Sequence, residues 1–222
     1  CMIFDQRGHG KNCNNKTYGV ISGYESFLDD IGVVKREVKQ LYPEIPLFLY
    51  GHSMGGNIAV NYLIARGERD FTAAILESPW LRLYRSVPKP IVYMARGLGV
   101  ISRNLAIVNK LEVNDITRDS ERAEMLTNDE LYHNRISFRM FAGINDAGER
   151  AIENAKKLSL PIMLVCAGDD KIVSSSAIKE FSDGANSNVV LKTYDKAYHA
   201  IHSDIIKDDY LKDMIGFLDS TL

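Results

Sequence analysis

The 222-residue chain has little cysteine: Cys1, Cys13 and Cys166 are an odd set with no C-x-x-C pair. That excludes a disulfide framework and a thiolate zinc site, and it implies a reducing, cytoplasmic setting. No apolar run approaches the roughly 18 residues of a membrane-spanning helix. Neither sign of charge dominates, since 27 Lys and Arg face 29 Asp and Glu and leave a net charge of −2. A clustered basic surface is therefore not expected, and nucleic acid is excluded as a partner. There is no repeat and no low-complexity tract. With 45% apolar and 25% charged residues, the composition is that of an ordinary folded domain. The first residues, Cys1-Met-Ile-Phe-Asp5, read as a buried strand, so the chain is expected to open inside a fold and its start reads as truncated.

What is present alternates short apolar runs with stretches of helical period, the signature of α/β layering around a mostly parallel sheet. Strands are expected at Met2–Asp5, Leu47–Tyr50, Ala73–Leu76, Ile162–Cys166 and Val189–Tyr194. A helix is expected from Ser26 to Leu41, with Phe27, Ile31, Val34, Val38 and Leu41 forming one stripe against the sheet. A second should follow Ser53 and end near Gly67, and a last one should run from about Asp208 to Leu218. The stretch from about 79 to 147 carries Pro88, Pro90 and amphipathic segments without a strand pattern. It reads as a helical insertion in a single domain whose core is 1–78 and 148–222.

The most informative stretch is Leu47-Phe-Leu-Tyr-Gly-His-Ser-Met-Gly-Gly56. An apolar strand, then G-x-S-x-G, then a helix is the context of a nucleophile elbow. The glycines at 51 and 55 are expected because a side chain there would collide with the neighbouring strand or helix. The helix start aims backbone N–H groups at the serine oxygen. A serine hydroxyl needs a base, and the base needs an acid to hold its tautomer. Downstream, Ile162–Cys166 leads into Asp169 and Asp170, and Val189–Tyr194 leads into His199, so the order Ser, acid, His is satisfied. Either aspartate could face the histidine; Asp170, followed by Lys-Ile-Val, is preferred, and an N-cap role is the alternative for both. His199 comes directly off its strand and is the expected base, with His202 a pocket or surface residue. His9 and His133 belong to no motif.

The elbow, the opening Phe4-Asp-Gln-Arg-Gly-His-Gly10 and the stretch Tyr194-Asp-Lys-Ala-Tyr-His-Ala-Ile-His202 together resemble the monoacylglycerol lipase and lysophospholipase branch of the α/β-hydrolases, grouped with the serine aminopeptidase-like enzymes. Asn128-Asp-Glu-Leu131 echoes a cap segment of the same lipases. The resemblance implies Ser53 as nucleophile, Asp170 as acid, His199 as base and the Met54 N–H as half of the oxyanion hole. It implies His52 and His202 as lining of the polar head-group pocket, and the insertion as a cap over an acyl channel. Trp80, Leu81, Leu83, Ile91, Val92, Met94, Leu98 and Ile101 would suit the wall of that channel, or ordinary core. The implied activity is hydrolysis of monoacylglycerols, lysophospholipids or short acyl esters, with no metal or organic cofactor and with transient membrane contact through the cap. Peptidase, thioesterase and acyltransferase chemistry use the same residues, and an inert interaction protein is the reading from another class. The family's third strand, with its His-Gly motif and second oxyanion donor, has no counterpart here, so the Leu47–Tyr50 strand is expected to expose an inner edge.

Overall fold

A computed structural model describes residues 1–109 and 111–222. Four parallel strands form the main sheet: β1 (Phe48–His52), β2 (Ala73–Glu77), β5 (Ile162–Ala167) and β6 (Val189–Tyr194), in the order β1-β2-β5-β6. β5 is buried along its whole length, as a central parallel strand covered on both faces must be. Its alternate residues feed two cores. Ile162, Leu164 and Cys166 join Ala74 and Leu76 of β2, and meet Ala59 and Leu63 of α2 (Met54–Arg66) and Ile178 and Phe181 of α6 (Ser175–Gly184). Met163, Val165 and Ala167 join Ile75 on the other face, under Tyr210 of α7 (Lys207–Ser220). The result is a three-layer α/β/α arrangement.

α1 (Glu25–Leu41) forms where the apolar spacing requires it, but its stripe does not lie on the sheet. Phe27, Leu28 and Ile31 pack on Ile58 and Tyr62 of α2 and on Met140 and Ile144 of α5 (Phe138–Glu153). α2 already covers that face of the sheet, so α1 forms a further layer and Leu41, at its end, is exposed. Buried amides tie these helices together. The Asn57 Nδ2 donates to the Trp80 and Ile144 carbonyls at 2.7 and 3.1 Å, while its Oδ1 accepts from the Tyr24 hydroxyl at 2.7 Å. The Asn61 Nδ2 donates to the Ala147 carbonyl at 3.0 Å.

Between β2 and β5 lie α3 (Lys89–Ile101), β3 (Ala106–Val108), α4 (Ser120–Thr127), β4 (Arg135–Ser137) and α5. The expectation of a strand-free insertion is corrected here: β3 and β4 pair as a two-stranded antiparallel ribbon. Three residues each are too few to show a period of two against their helical flanks. α5 runs through position 147 and packs on α2, with Ala147 and Ala151 fully buried. Leu81 is core rather than channel wall, whereas Ile91, Met94 and Ile101 are exposed.

The expected strand at Met2–Asp5 is also corrected. These residues pair with no strand, and Ile3 is 88% exposed. An apolar segment becomes a strand only where a neighbour offers it a ladder. Among the described residues, β1 pairs on one side only, with β2, and Tyr50 is exposed at that edge.

Candidate active site

All the side chains of interest leave the carboxyl ends of parallel strands, where an open α/β sheet keeps its site. β1 runs into Ser53, whose φ of 54° and ψ of −118° lie outside the ordinary regions. Such a conformation costs about 1–3 kcal/mol and persists only where its surroundings fix it. Here they do: the Ser53 N–H donates to the Glu77 carbonyl at 2.9 Å, and the Ser53 carbonyl accepts from Asn57 and Trp80 at 3.0 and 2.9 Å. A Cβ at Gly51 would stand 2.5 Å from the Gly55 carbonyl oxygen, so that glycine is required by the turn. The same expectation fails at Gly55, where a Cβ would meet nothing nearer than the Gln6 amide at 3.6 Å. The second tight position is Gly56, whose Cβ would come within 2.9 Å of Pro79. Met54 opens α2, so its N–H is one of the donors a helix start leaves without an intrahelical acceptor.

The Ser53 hydroxyl donates to His199 Nε2 at 2.7 Å. His199 Nδ1–H donates to Asp170 Oδ2, also at 2.7 Å. The other Asp170 oxygen accepts from the Ile172 and Val173 N–H groups at 2.8 and 2.9 Å, which fixes the carboxylate in the turn after β5. Asp170 and His199 are buried, whereas Ser53 is half-buried and reachable. Asp169 is exposed and points elsewhere, so of the two aspartates Asp170 is the one on the histidine. The loop carrying His199 is clasped from the insertion: Asp204, fully buried, takes an Arg118 guanidinium hydrogen bond at 2.5 Å, and Thr117 donates to the Ser203 carbonyl at 2.8 Å. The Asp204 carboxyl, which burial alone would raise, is held below its ordinary value by Arg118.

Beside this line stands a second group. The His52 ring lies 4.7 Å from that of His199 and 4.9 Å from that of His202. His52 Nε2–H donates to the His199 carbonyl at 3.2 Å. Burial, with His199 nearby, pushes the His52 imidazole down to about 3, so the ring is neutral at physiological pH. His202 Nδ1 sits 2.9 Å from Glu77 Oε1, and the His202 backbone N–H donates to the same oxygen at 3.2 Å. Glu77 also accepts the Tyr50 hydroxyl at 2.5 Å. Burial opposes charge on Glu77, but the hydrogen bonds from His202 and Tyr50 prevail and hold its carboxyl at about 2. Sequence reading passed over Glu77; the available signal was a carboxylate closing the otherwise apolar strand Ala73-Ala-Ile-Leu-Glu77.

His9 and His133 lie apart from this centre and from any metal-type cluster. They stack on each other at 4.9 Å, and Tyr18 stacks on His133 at 4.5 Å. Burial lowers the His9 pKa.

Comparison with known proteins points to one family. The family model described as serine aminopeptidase, S33, matches residues 1–205. An uncharacterized abhydrolase domain-containing protein of Dictyostelium discoideum is 30% identical over 94% of this chain, which spans only 22% of that protein. Phospholipase YtpA of Bacillus subtilis is 28% identical over 95% of this chain and 81% of its own length. The structure of a soluble variant of monoglyceride lipase from Saccharomyces cerevisiae, in complex with a substrate analog, superposes with a TM-score of 0.84 at 26% identity, covering 98% of this chain and 76% of that one. Among the described residues, no helix is long and apolar enough to cross a membrane.

Proposed function

The chain belongs to the serine aminopeptidase S33 family of α/β-hydrolases, and from that premise we propose that it is a serine hydrolase of lipid-like carboxylic esters: monoacylglycerols, lysophospholipids or short acyl esters. The observation that carries the reading is the unbroken line Ser53 Oγ, His199 Nε2, His199 Nδ1, Asp170 Oδ2, with both contacts at 2.7 Å. In this mechanism the Ser53 oxygen attacks the acyl carbonyl while its proton passes to His199 Nε2. Asp170 stabilises the resulting imidazolium without taking the proton. The Met54 N–H receives the negative charge that develops on the carbonyl oxygen. His199 then returns the proton to the departing alkoxide, leaving an acyl-Ser53 ester. A water molecule, deprotonated by His199, releases the fatty acid and restores the serine. Every proton is handled by the chain's own imidazole, so the cycle needs no metal or organic cofactor. We assign the polar head of the substrate to His52 and His202, whose rings stand beside His199 and beside each other.

Two observations favour a lipid over a peptide. The Bacillus subtilis relative and the structural neighbour bear phospholipase and monoglyceride lipase names. The insertion, from about 79 to 147, exposes the large apolar side chains Tyr93, Met94, Val100, Ile101, Ile107 and Val108. We read it as a cap that meets lipid surfaces transiently. The test is a substrate panel of monoacylglycerols, lysophospholipids, p-nitrophenyl esters, aminoacyl anilides and acyl-CoA. Turnover confined to the oxygen esters supports the proposal; preferred cleavage of anilides or thioesters refutes it.

A further inference from the structure

The group beside the triad has a composition that ester hydrolysis does not require. His52, Glu77 and His202 each offer one donor atom, and these atoms all lie within 4.8 Å of one another. Two imidazole nitrogens and one carboxylate oxygen are the donor set of an open zinc site, with metal–ligand distances of about 2.0–2.2 Å and a fourth position for water or another ligand. We propose that His52, Glu77 and His202 form a binding site for a Zn²⁺-class divalent ion that inhibits the adjacent serine centre.

Hydrogen bonding orients the first donor: His52 Nε2–H donates to the His199 carbonyl at 3.2 Å, which leaves Nδ1 as the ring's free nitrogen. The ion takes the place of the hydrogen bond between Glu77 Oε1 and His202 Nδ1, now 2.9 Å apart, while the Tyr50 hydroxyl on Oε2 keeps the carboxylate oriented. This is the outer support that metal-binding carboxylates ordinarily have. The side chain that closes the site is His202: it is 40% exposed and belongs to the short 3₁₀ turn Ile201–Ser203. Solvent reaches the site through the same side chain. The consequence for catalysis follows from proximity. His52 directly precedes Ser53, and its ring lies 4.7 Å from that of His199. A double positive charge there opposes the imidazolium that must form on His199.

The experiment is a Zn²⁺ titration of the chelator-treated full chain carrying Cys1→Ser and Cys13→Ser. Binding is read by competition with a zinc-responsive dye, and p-nitrophenyl butyrate hydrolysis is followed in the same samples. One ion should bind per chain, His202→Ala should weaken binding by about tenfold or more, and His199→Ala should leave binding intact. Absence of binding to the parent chain overturns the proposal. So does unchanged affinity in His202→Ala, or loss in His199→Ala with retention in His202→Ala, which would put the ion on the triad. If circular dichroism shows His202→Ala unfolded, Glu77→Gln takes its place with the same expectations. The inhibitory half rests on the hydrolase reading, whereas binding does not. A chain that binds zinc as described but cleaves no ester retains the site and loses the proposed function.

Discussion

At the scale of single residues, the account assigns one reaction to three side chains that are far apart in sequence. Ser53→Ala should leave the fold intact and lower ester turnover by a factor on the order of 10⁴ or more. His199→Ala should cost nearly as much and the double variant no more than either, because the residues act as a unit. Steady-state kinetics on the three proteins checks this, and additive losses would contradict it. His52 gives a second prediction. Its folded value near 3 lies below the ordinary 6.5, so the unfolded chain takes a proton that the native ring refuses. The associated stability is fully present above about pH 6.5 and is lost as pH falls toward 3, reaching about 2 kcal/mol at pH 5. Glu77 titrates lower, between 4.5 and about 2, and does not enter that comparison. Urea midpoints at pH 8 and pH 5 should therefore diverge less in His52→Asn than in the parent. Ser53, Asp170 and His199, which the structure brings into one hydrogen-bonded line, could be singled out in the sequence because a strand, a G-x-S-x-G turn and two strand-end motifs are local patterns. Glu77 was not, because its meaning comes from His202 and Tyr50, which only the fold brings beside it.

At the scale of elements, the elbow shows how far a motif can be read without its surroundings. The spacing correctly demands a glycine at 51, where a Cβ would stand 2.5 Å from the Gly55 carbonyl oxygen. It does not reveal that Gly55 has room while Gly56 presses on Pro79. Gly51→Ala should accordingly destabilise by about 1–3 kcal/mol through overpacking, whereas Gly55→Ala, at the start of a helix, should change stability by less than about 0.5 kcal/mol. Thermal denaturation of the two variants tests the contrast, and equal losses would show that the turn is not held as described. The helices were legible from their periodicity, yet the destination of α1 was not: its stripe specifies an apolar partner without saying whether that partner is a sheet or another helix. The β3–β4 ribbon was missed for want of length, and Met2–Asp5 was misread because its apolar run resembles a strand whether or not a ladder exists.

At the scale of the whole molecule, stability and function are unevenly distributed. β5 is enclosed by β2, β6 and helices on both faces, whereas β1, which carries Ser53, is paired on one side among the described residues. Amide hydrogen exchange should therefore be slowest in β5 and appreciably faster in β1, and equal protection of the two would contradict the edge position. An open edge is also a template for association. The strained serine turn thus follows an edge strand of the sheet and depends on its hydrogen bonds to Glu77, Asn57 and Trp80. The central claim is that the hydroxyl held there is an activated nucleophile. The most direct measurement is labelling of the chain with a fluorophosphonate probe, followed by mass-spectrometric location of the adduct. The account predicts a single adduct per chain on Ser53 that disappears in His199→Ala; no adduct, or one on another serine, would contradict it.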